Sequence, residues 1–320
     1  AQERSALVED LLMSTAVPVL DENGNQASPR KQGAGLINLR YATAANAYLL
    51  GADGGRPKAE TGSSEEGQWS FSFQVKRLRG IAAIPYEISV SVLTEAVVTE
   101  DGRSFIAQQS RPLEADEYVL TAPASVTLGQ DTETVSVSLS LTETGKANLK
   151  RDFPNGIYVE GFVTLTPAGG GESVALSLPY MGFYGDWSQA PLFDATAYSG
   201  EEPNVTDMWL GAFDNRTGGG YGLGSPLYGA AYSFYDADKI AITSDTSQNV
   251  TAVCALLRSA DSLTFSVTDS DGTVVYSETS KLASKSHYYN QSFYTPMAKK
   301  GFIPVDSWNS PLPDGRYTYT

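Results

Sequence analysis

Apolar and polar residues alternate along several short stretches, and this pattern constrains the fold more than any other feature. The alternation runs from Trp69 to Val75 and from Ile84 to Val92, with further candidates at 134–141, 156–166 and 172–180. A period of two places successive side chains on opposite faces of a strand, one in a core and one in water. Short strands at this spacing, separated by Gly-, Pro- and Asp-bearing turns, favour an antiparallel β-sandwich over a parallel α/β sheet.

The residues before this β region have a different pattern. Helix-like periodicity predicts two amphipathic helices, at 3–16 and 38–50, joined through a turn-rich loop at 21–25. The loop Gly33-Ala34-Gly35 predicts close backbone approach or positive φ, because glycine lacks a Cβ. Two helices this short cannot bury their apolar faces alone, so they need a neighbouring body.

The remaining chain divides by composition. Residues 51–67 are rich in Gly, Pro, Ser and Glu, which predicts a linker, and the first sandwich is expected at 60–190. Residues 191–235, rich in Gly, Tyr, Asn and Asp, predict a long irregular connection. Strand-like alternation resumes near 239, and Asp271-Gly272 marks a hairpin turn.

Charge and cysteine content exclude some function classes. The 320 residues carry a formal net charge of -15, which repels nucleic acid, and no window approaches the roughly 20 apolar residues that a membrane helix needs. The only cysteine, Cys254, lies in an apolar run and is expected to behave as a small core hydrophobe.

Four stretches together resemble one protein family. They read LMSTA at 12–16, SPRKQGAGLIN at 28–38, NGIYVEGFV at 155–163 and LPYMGFYGDW at 178–187. In this order they resemble the cell-envelope subtilisin-like serine proteases of Gram-positive bacteria, a family that includes lactocepins and the streptococcal peptidases that inactivate a complement anaphylatoxin.

The resemblance implies a mainly β chain, with tandem fibronectin type III-like antiparallel sandwiches preceded by two helices from the end of a subtilisin-like α/β domain. Residues 1–50 would be the remnant of that protease domain, and 60–190 the first fibronectin-like sandwich. Residues 191–235 would connect it to a second, truncated fibronectin-like domain at 236–320.

Catalytic machinery of this family is missing from the chain. The resemblance implies that the Asp, His and Ser of the triad lie upstream, and no Gly-Thr-Ser nucleophile motif occurs here. The only histidine, His287, lacks a His-Gly-Thr context, so we assign no catalytic residue. The turn at 269–272 and the loop at 243–249 have too few carboxylates in the right places for Ca²⁺, so neither metal nor cofactor is expected.

Aromatic residues crowd the region between the two β domains. Buried, they would hold the domains together; exposed, they would form a sugar- or peptide-binding surface. We favour the first role. The candidates are Tyr184, Trp187, Trp209 and Tyr221, with Tyr228, Tyr232 and Tyr235 nearby.

Two functional hypotheses follow. The first is a non-catalytic fragment of a secreted subtilisin-like endopeptidase, whose sandwiches brace the upstream protease domain in cis and shape access for large peptide substrates. Its location would be extracellular, at the cell envelope of a Gram-positive bacterium. The second is a non-enzymatic surface module that binds a glycan or a host protein.

Overall fold

A computed structural model of the chain describes residues 2–100, 102–169, 173–204, 208–214, 216–217, 220–224, 236, 240, 242, 248–286, 298–306 and 308–320. Its contacts divide the chain into two compact units, Ala1–Ala190 and Pro191–Thr320. The finer division of the first unit at residue 50, and the domain boundaries predicted from the sequence, stay predictions.

Helices and strands of the first unit follow one another in a mainly β order. The helices are α1 (Gln2–Ser14), α2 (Pro29–Gln32), α3 (Leu39–Ala44) and α4 (Glu143–Asp152). The strands are β1 (Ala47–Gly51), β2 (Ala59–Ser64), β3 (Gln68–Arg77), β4 (Ile84–Val90), β5 (Leu93–Glu100), β6 (Arg103–Pro112), β7 (Tyr118–Thr121), β8 (Ser125–Leu128), β9 (Thr132–Leu141), β10 (Ile157–Pro167) and β11 (Leu176–Tyr184).

Two sheets form the sandwich of this unit. One runs in the order β1-β3-β9-β7, and the other in the order β2-β11-β10-β4-β8, with β5 joining β10 and β6 joining β5. Their inner faces share one core, to which Phe73 and Val137 contribute from the first sheet and Tyr86 and Val163 from the second. The predicted mainly β sandwich is confirmed, because alternating apolar positions of each strand lie in this core.

The second predicted helix is shorter than the periodicity indicated. Helix α3 ends at Ala44, and the residues that follow form β1, which pairs with β3 in the register Leu49 to Val75. The side chain of Leu49 is fully buried in the sandwich core. Backbone pairing with β3 and burial in the core therefore outweigh helix continuation.

Part of the predicted linker is also a strand. Strand β2 pairs with β11, and the pairing is parallel, an exception to the expected antiparallel arrangement. Its residues are small and polar and show no apolar alternation. Pairing with a strand about 120 residues away, where Thr61 Oγ1 donates to Met181 O, gives no local sequence signal.

The glycines of the 33–35 loop have the two predicted properties. Gly33 ends α2 with φ of 64°, and Gly35 has φ of 117°. A Cβ on Gly35 would lie 2.4 Å from the carbonyl oxygen of Val17, so only glycine fits. The prediction for this loop is confirmed.

The second unit contains two further sheets. Its strands are β12 (Trp209–Asp214), β13 (Gly220–Gly222), β14 (Gln248–Cys254), β15 (Ala260–Thr268), β16 (Val274–Ala283), β17 (Ala298–Phe302) and β18 (Thr318–Tyr319). One sheet runs β13-β12-β14-β17 and the other β16-β15-β18. The predicted hairpin turn is confirmed: Asp269 Oδ1 accepts from the amides of Asp271 and Thr273 between β15 and β16.

The expected irregular connection at 191–235 is wrong in part. Strand β12 pairs with β14 in the register Ala212 to Val250, and both residues are buried. The region from Trp209 therefore contributes to the second unit's sheet. Gly220-Tyr221-Gly222 adds a short strand beside it, where the sequence pattern indicated only glycine-rich loop.

Gly161 in β10 gives a stability test of the sandwich. A Cβ on Gly161 would lie 2.0 Å from the carbonyl oxygen of Ser91, so Gly161→Ala should lower the free energy of unfolding of the first unit by about 3 kcal/mol through overpacking. Gly129→Ala is the matched control, because nothing lies within 4 Å there. Hydrogen exchange of β10 amides measures both, and equal effects of the two changes would contradict the packing described.

Candidate functional site

The N-terminal segment, defined as residues 2–46, presents a short helix to the sandwich. Helix α2 begins after Ser28, whose hydroxyl accepts from the amide of Arg30, and Pro29 occupies its first turn. Gln32 fastens the helix to the preceding chain: its Oε1 accepts from Val19 N at 2.6 Å and its Nε2 donates to Ala27 O at 2.6 Å. These bonds fix the direction in which Arg30 and its neighbour Lys31 leave the helix.

Two buried carboxylates of the larger sheet receive these cations. Arg30 Nε donates to Glu160 Oε2 at 2.8 Å and Nη2 to Glu160 Oε1 at 3.1 Å, while Nη2 also bonds Glu95 Oε1. Lys31 Nζ lies 3.1 Å from Glu95 Oε2. The side chains of Glu95 and Glu160 are only 3% and 1% exposed. We call these four residues the ion cluster; its formal charges cancel, as buried charges require.

An aromatic ring completes the environment of Arg30. Its guanidinium carbon lies 4.1 Å from the centre of the Tyr158 ring, a cation–π contact. Burial by itself lowers the pKa of Arg30, but the hydrogen bonds and charge of Glu160, followed by those of Glu95, outweigh this effect and raise the pKa above its ordinary value. The guanidinium therefore stays charged across the physiological pH range.

More hydrogen bonds attach the N-terminal segment on either side of the cluster. Asp21 Oδ2 accepts from the Ser110 amide at 2.9 Å, and Gln26 Oε1 accepts from Ser91 Oγ at 2.5 Å. Ser14 Oγ, fully buried, accepts from the Leu49 amide at 2.9 Å. The segment is thus fixed to both sheets of the sandwich.

Several apolar side chains of the same segment face solvent. Val17 and Leu36 form an antiparallel bridge, with backbone bonds of 2.9 Å in both directions, and Ile37 and Leu39 follow. Leu36, Ile37 and Leu39 are 66%, 64% and 68% exposed. We call Val17, Leu36, Ile37 and Leu39 the apolar patch. A concentration of exposed large apolar residues on one segment is typical of an interaction surface.

Of the predicted aromatic site residues, Tyr184 and Trp187 belong to the first unit. Tyr184 ends β11 and is half-buried, and burial raises the pKa of its hydroxyl. The Trp187 ring lies 4.8 Å from that of Phe183 and 5.6 Å from that of Tyr158, and it is 41% exposed. These three rings border a shallow groove of about 220 Å³ that Glu60 also lines.

Trp209 and Tyr221 belong to the second unit. Trp209 begins β12 and its ring lies 6.1 Å from that of Phe213, whereas Tyr221 stands on β13 and is exposed. The structure packs Tyr184 against the sandwich core and Trp187 against Phe183 and Tyr158, so it does not bring these two residues together. It places Trp209 and Tyr221 on neighbouring strands. Tyr228, Tyr232 and Tyr235 lie outside the described residues. The role of these aromatics between the domains stays a prediction.

Catalytic and metal sites were not expected from the sequence. His287 and residues 243–247 of the candidate calcium loop lie outside the described residues. Within the described part of the chain, no group of three or more His, Cys, Asp or Glu residues is arranged to hold a metal ion.

Among the helices that the structure describes, none combines the length and the apolar character that crossing a bilayer demands.

The ion cluster was not found by sequence reasoning. Arg30 and Lys31 lie within a stretch that carries the family resemblance, and Glu95 lies in no motif that predicts a site. A signal does exist in β10, where Glu160 interrupts the apolar run from Ile157 to Val163. A charge in such a run is rarely buried without a partner, which would have predicted a cation from elsewhere in the chain.

Part of the sandwich is similar to a known domain family. A family model described as an Fn3-like domain matches residues 65–181. This stretch contains β3 to β10 and most of β11, together with both carboxylates of the ion cluster. The N-terminal segment that supplies Arg30 and Lys31 lies before it.

Relatives cover almost all of the chain. A PII-type proteinase of Lactococcus lactis subsp. cremoris is 27% identical over 96% of this chain, and a C5a peptidase of Streptococcus pyogenes is 28% identical over 60% of it. The predicted resemblance to such proteinases is confirmed. The chain spans only 16% of the length of each.

Similarity to solved structures is weaker. The class 5 fimbriae chaperone CfaA aligns with 82% of this chain and 88% of its own, at 10% identity and a TM-score of 0.30.

Removing one cation from the ion cluster should destabilise the first unit. Arg30→Met leaves Glu160 without its bidentate partner and should lower the free energy of unfolding by about 3 kcal/mol. Arg56→Met is the matched control, because Arg56 pairs with Glu9 at the surface and should matter by less than about 1 kcal/mol. Hydrogen exchange of β10 amides in the whole chain reports both values; a loss in the control as large as that in Arg30→Met would contradict this assignment.

Cys254 should be a slow thiol. Burial raises its pKa to about 11, so at pH 8 the protonated form dominates in the folded chain. We expect alkylation at pH 8 to be on the order of 100-fold slower than for the same cysteine in urea, rising about tenfold per pH unit until the pKa is passed. Mass spectrometry after timed iodoacetamide treatment measures this, and rapid labelling of folded protein at pH 8 would exclude the burial described.

Proposed function

We propose that this chain is a non-catalytic part of a secreted subtilisin-like serine endopeptidase, in which the fibronectin-like sandwich braces an upstream protease domain in cis. One observation carries the proposal. The N-terminal segment is fixed to the sandwich by the ion cluster, yet it turns the apolar patch outward. A segment that is bonded to the sandwich and leaves large apolar side chains exposed has the properties of a junction between two bodies.

The charges of the junction make it stiff. Glu95 and Glu160 are almost completely buried, so withdrawing Arg30 and Lys31 would leave two carboxylates uncompensated. The segment therefore cannot swing away from the sandwich at low cost. A domain packed on the apolar patch would be held in one orientation, and this is what bracing requires.

The sandwich would also shape the access of large substrates to the protease. A sandwich held rigidly beside a protease limits the directions from which a large polypeptide reaches the active site. The names of the relatives, PII-type proteinase and C5a peptidase, support a proteolytic parent that acts on peptide or protein. Their sources, Lactococcus lactis and Streptococcus pyogenes, support a location outside a Gram-positive cell.

A second candidate function rests on the exposed aromatics. Trp187 and Tyr221 are 41% and 43% exposed, and exposed rings are common in glycan- and peptide-binding surfaces. In this case the chain would be a non-enzymatic surface module. Binding of the isolated chain to a glycan array, lost in a Trp187→Ala or Tyr221→Ala variant, would favour it.

The proteolytic proposal is tested with two proteins, this chain and a longer gene product that includes the sequence upstream of Ala1. The longer product should hydrolyse fluorescein-labelled casein and stop with a serine-reactive inhibitor, whereas this chain alone should show no turnover. Arg30→Met in the longer product should accelerate heat inactivation of the protease, and Arg56→Met should not. Inhibitor-sensitive turnover by this chain would overturn the assignment, and unchanged heat inactivation would overturn the bracing role.

A further inference from the structure

The groove of about 220 Å³ beside Trp187 lies on the outer face of the larger sheet. In β10, Tyr158 follows one core residue and precedes another. Successive side chains of a strand point to opposite faces, so Tyr158 points away from the core. In β11, Met181 and Phe183 have the opposite parity to Tyr180, which packs in the core. Residues of two neighbouring strands therefore form the floor of the groove.

Three aromatic rings border the groove at steep angles to one another. The rings of Phe183 and Trp187 are 4.8 Å apart and inclined by 88°, and those of Tyr158 and Phe183 are 5.3 Å apart and inclined by 74°. Rings arranged in this way form walls, whose π faces attract a cation. Tyr158 already receives one, because the Arg30 guanidinium carbon lies 4.1 Å from its ring centre. Arg30 itself does not line the groove.

A carboxylate completes the lining. Glu60 of β2 borders the groove, and its Oε1 accepts from Lys58 Nζ at 2.6 Å. This carboxylate is thus already placed to receive an ammonium group. The side chains of Lys58 and Glu60 are 48% and 58% exposed, and a surface pair of this kind is weak enough to exchange partners. The chain's net charge of -15 adds a long-range field that attracts cations.

A bulge shapes β2 at the groove. From Glu60 to Ser63 this strand advances three residues, while β11 advances two, from Met181 to Phe183. Gly62 lies within the bulge with φ of 75°, a left-handed conformation that favours glycine. Among the described residues β2 pairs with β11 alone and ends the sheet. Bulges of this kind are common at sheet edges and beside binding sites, and an edge strand can pair with an extended polypeptide.

We propose that the groove binds the side chain of a lysine in an extended polypeptide. The ammonium lies against the three rings and donates to Glu60 in place of Lys58, while the aliphatic stem packs on the thioether of Met181. The groove is smaller than the roughly 300–1,000 Å³ of small-molecule pockets, so it suits one side chain. It belongs to the first unit alone, and binding there is independent of the proposed upstream protease.

Fluorescence anisotropy of a labelled peptide tests this site in the chain itself. The probe is a fluorescein-labelled pentapeptide with a central lysine between alanines. Its counterpart carries norleucine in place of lysine, which keeps the stem and removes the charge. We expect the lysine peptide to bind and the norleucine peptide to bind about tenfold more weakly or worse. Equal binding of the two peptides would overturn the inference.

Two variants of the lining are compared with two matched controls. Trp187→Leu removes a π face and Glu60→Gln removes a charge, so each should weaken binding of the lysine peptide by about fivefold. Trp308→Leu and Glu9→Gln should keep the affinity, because Trp308 is an exposed residue of the second unit and Glu9 lies in a surface salt bridge. Losses in the controls as large as those in the lining variants would show attraction by net charge or general apolar contact, and would contradict the site.

Lys58→Met separates the release of a competitor from a change in net charge. It should tighten binding of the lysine peptide by about threefold, because Glu60 loses its internal partner. Lys150→Met makes the same charge change at an exposed position of α4 and should leave binding unchanged. Equal effects of the two changes would also overturn the inference.

Competition identifies the class of ligand. Neither n-butylamine, a free alkylamine, nor maltohexaose, a neutral glycan, should displace the lysine peptide at about ten times its concentration, because each lacks either the backbone or the charge. Displacement by n-butylamine would assign the groove to free amines. Displacement by maltohexaose would assign it to glycans, as in the second candidate function, and either result would overturn the binding of a polypeptide lysine.

Discussion

The pairing of Arg30 with Glu95 and Glu160 is the interaction on which the junction depends. The side chains of Glu95 and Glu160 are only 3% and 1% exposed, and buried charges of this kind need partners of opposite charge beside them. The stretch 65–181, which matches the Fn3-like family model, contains the carboxylates, and the preceding segment supplies Arg30 and Lys31. The sandwich and the segment are therefore complementary parts of one unit, and neither has balanced charges alone.

Ions and hydrogen bonds attach the N-terminal segment to the sandwich, while Leu36, Ile37 and Leu39 of the same segment stay exposed. Ions and hydrogen bonds set its position with angular precision, because donor and acceptor geometry is narrow. Apolar surface such as Leu36 and Ile37 provides contact area without fixing direction. A directional attachment on one side and an adaptable one on the other suit a part that transmits the orientation of one body to the next.

Much of the fold could be predicted from the sequence, and the failures have a common cause. The alternation in β3 and the turn at Asp271-Gly272 are local signals, and both predictions are confirmed. Strand β2 and the ion cluster were missed because each depends on partners more than 100 residues away, β11 for the strand and Glu160 for Arg30. Local pattern predicts which residues are buried far better than it predicts which remote residue will pair with them.

The wide spacing of these partners also has a kinetic consequence. Arg30 and Glu160 are separated by 130 residues, and β2 cannot pair until β11 is present. Closing a loop of that length is slow compared with forming a hairpin. During synthesis the N-terminal segment also emerges before the carboxylates that accept its hydrogen bonds. In that interval Arg30 has no Glu160 with which to pair. The position of Glu160 in the sequence therefore determines when the ion pair with Arg30 can form, as well as how much that pair stabilises the folded unit.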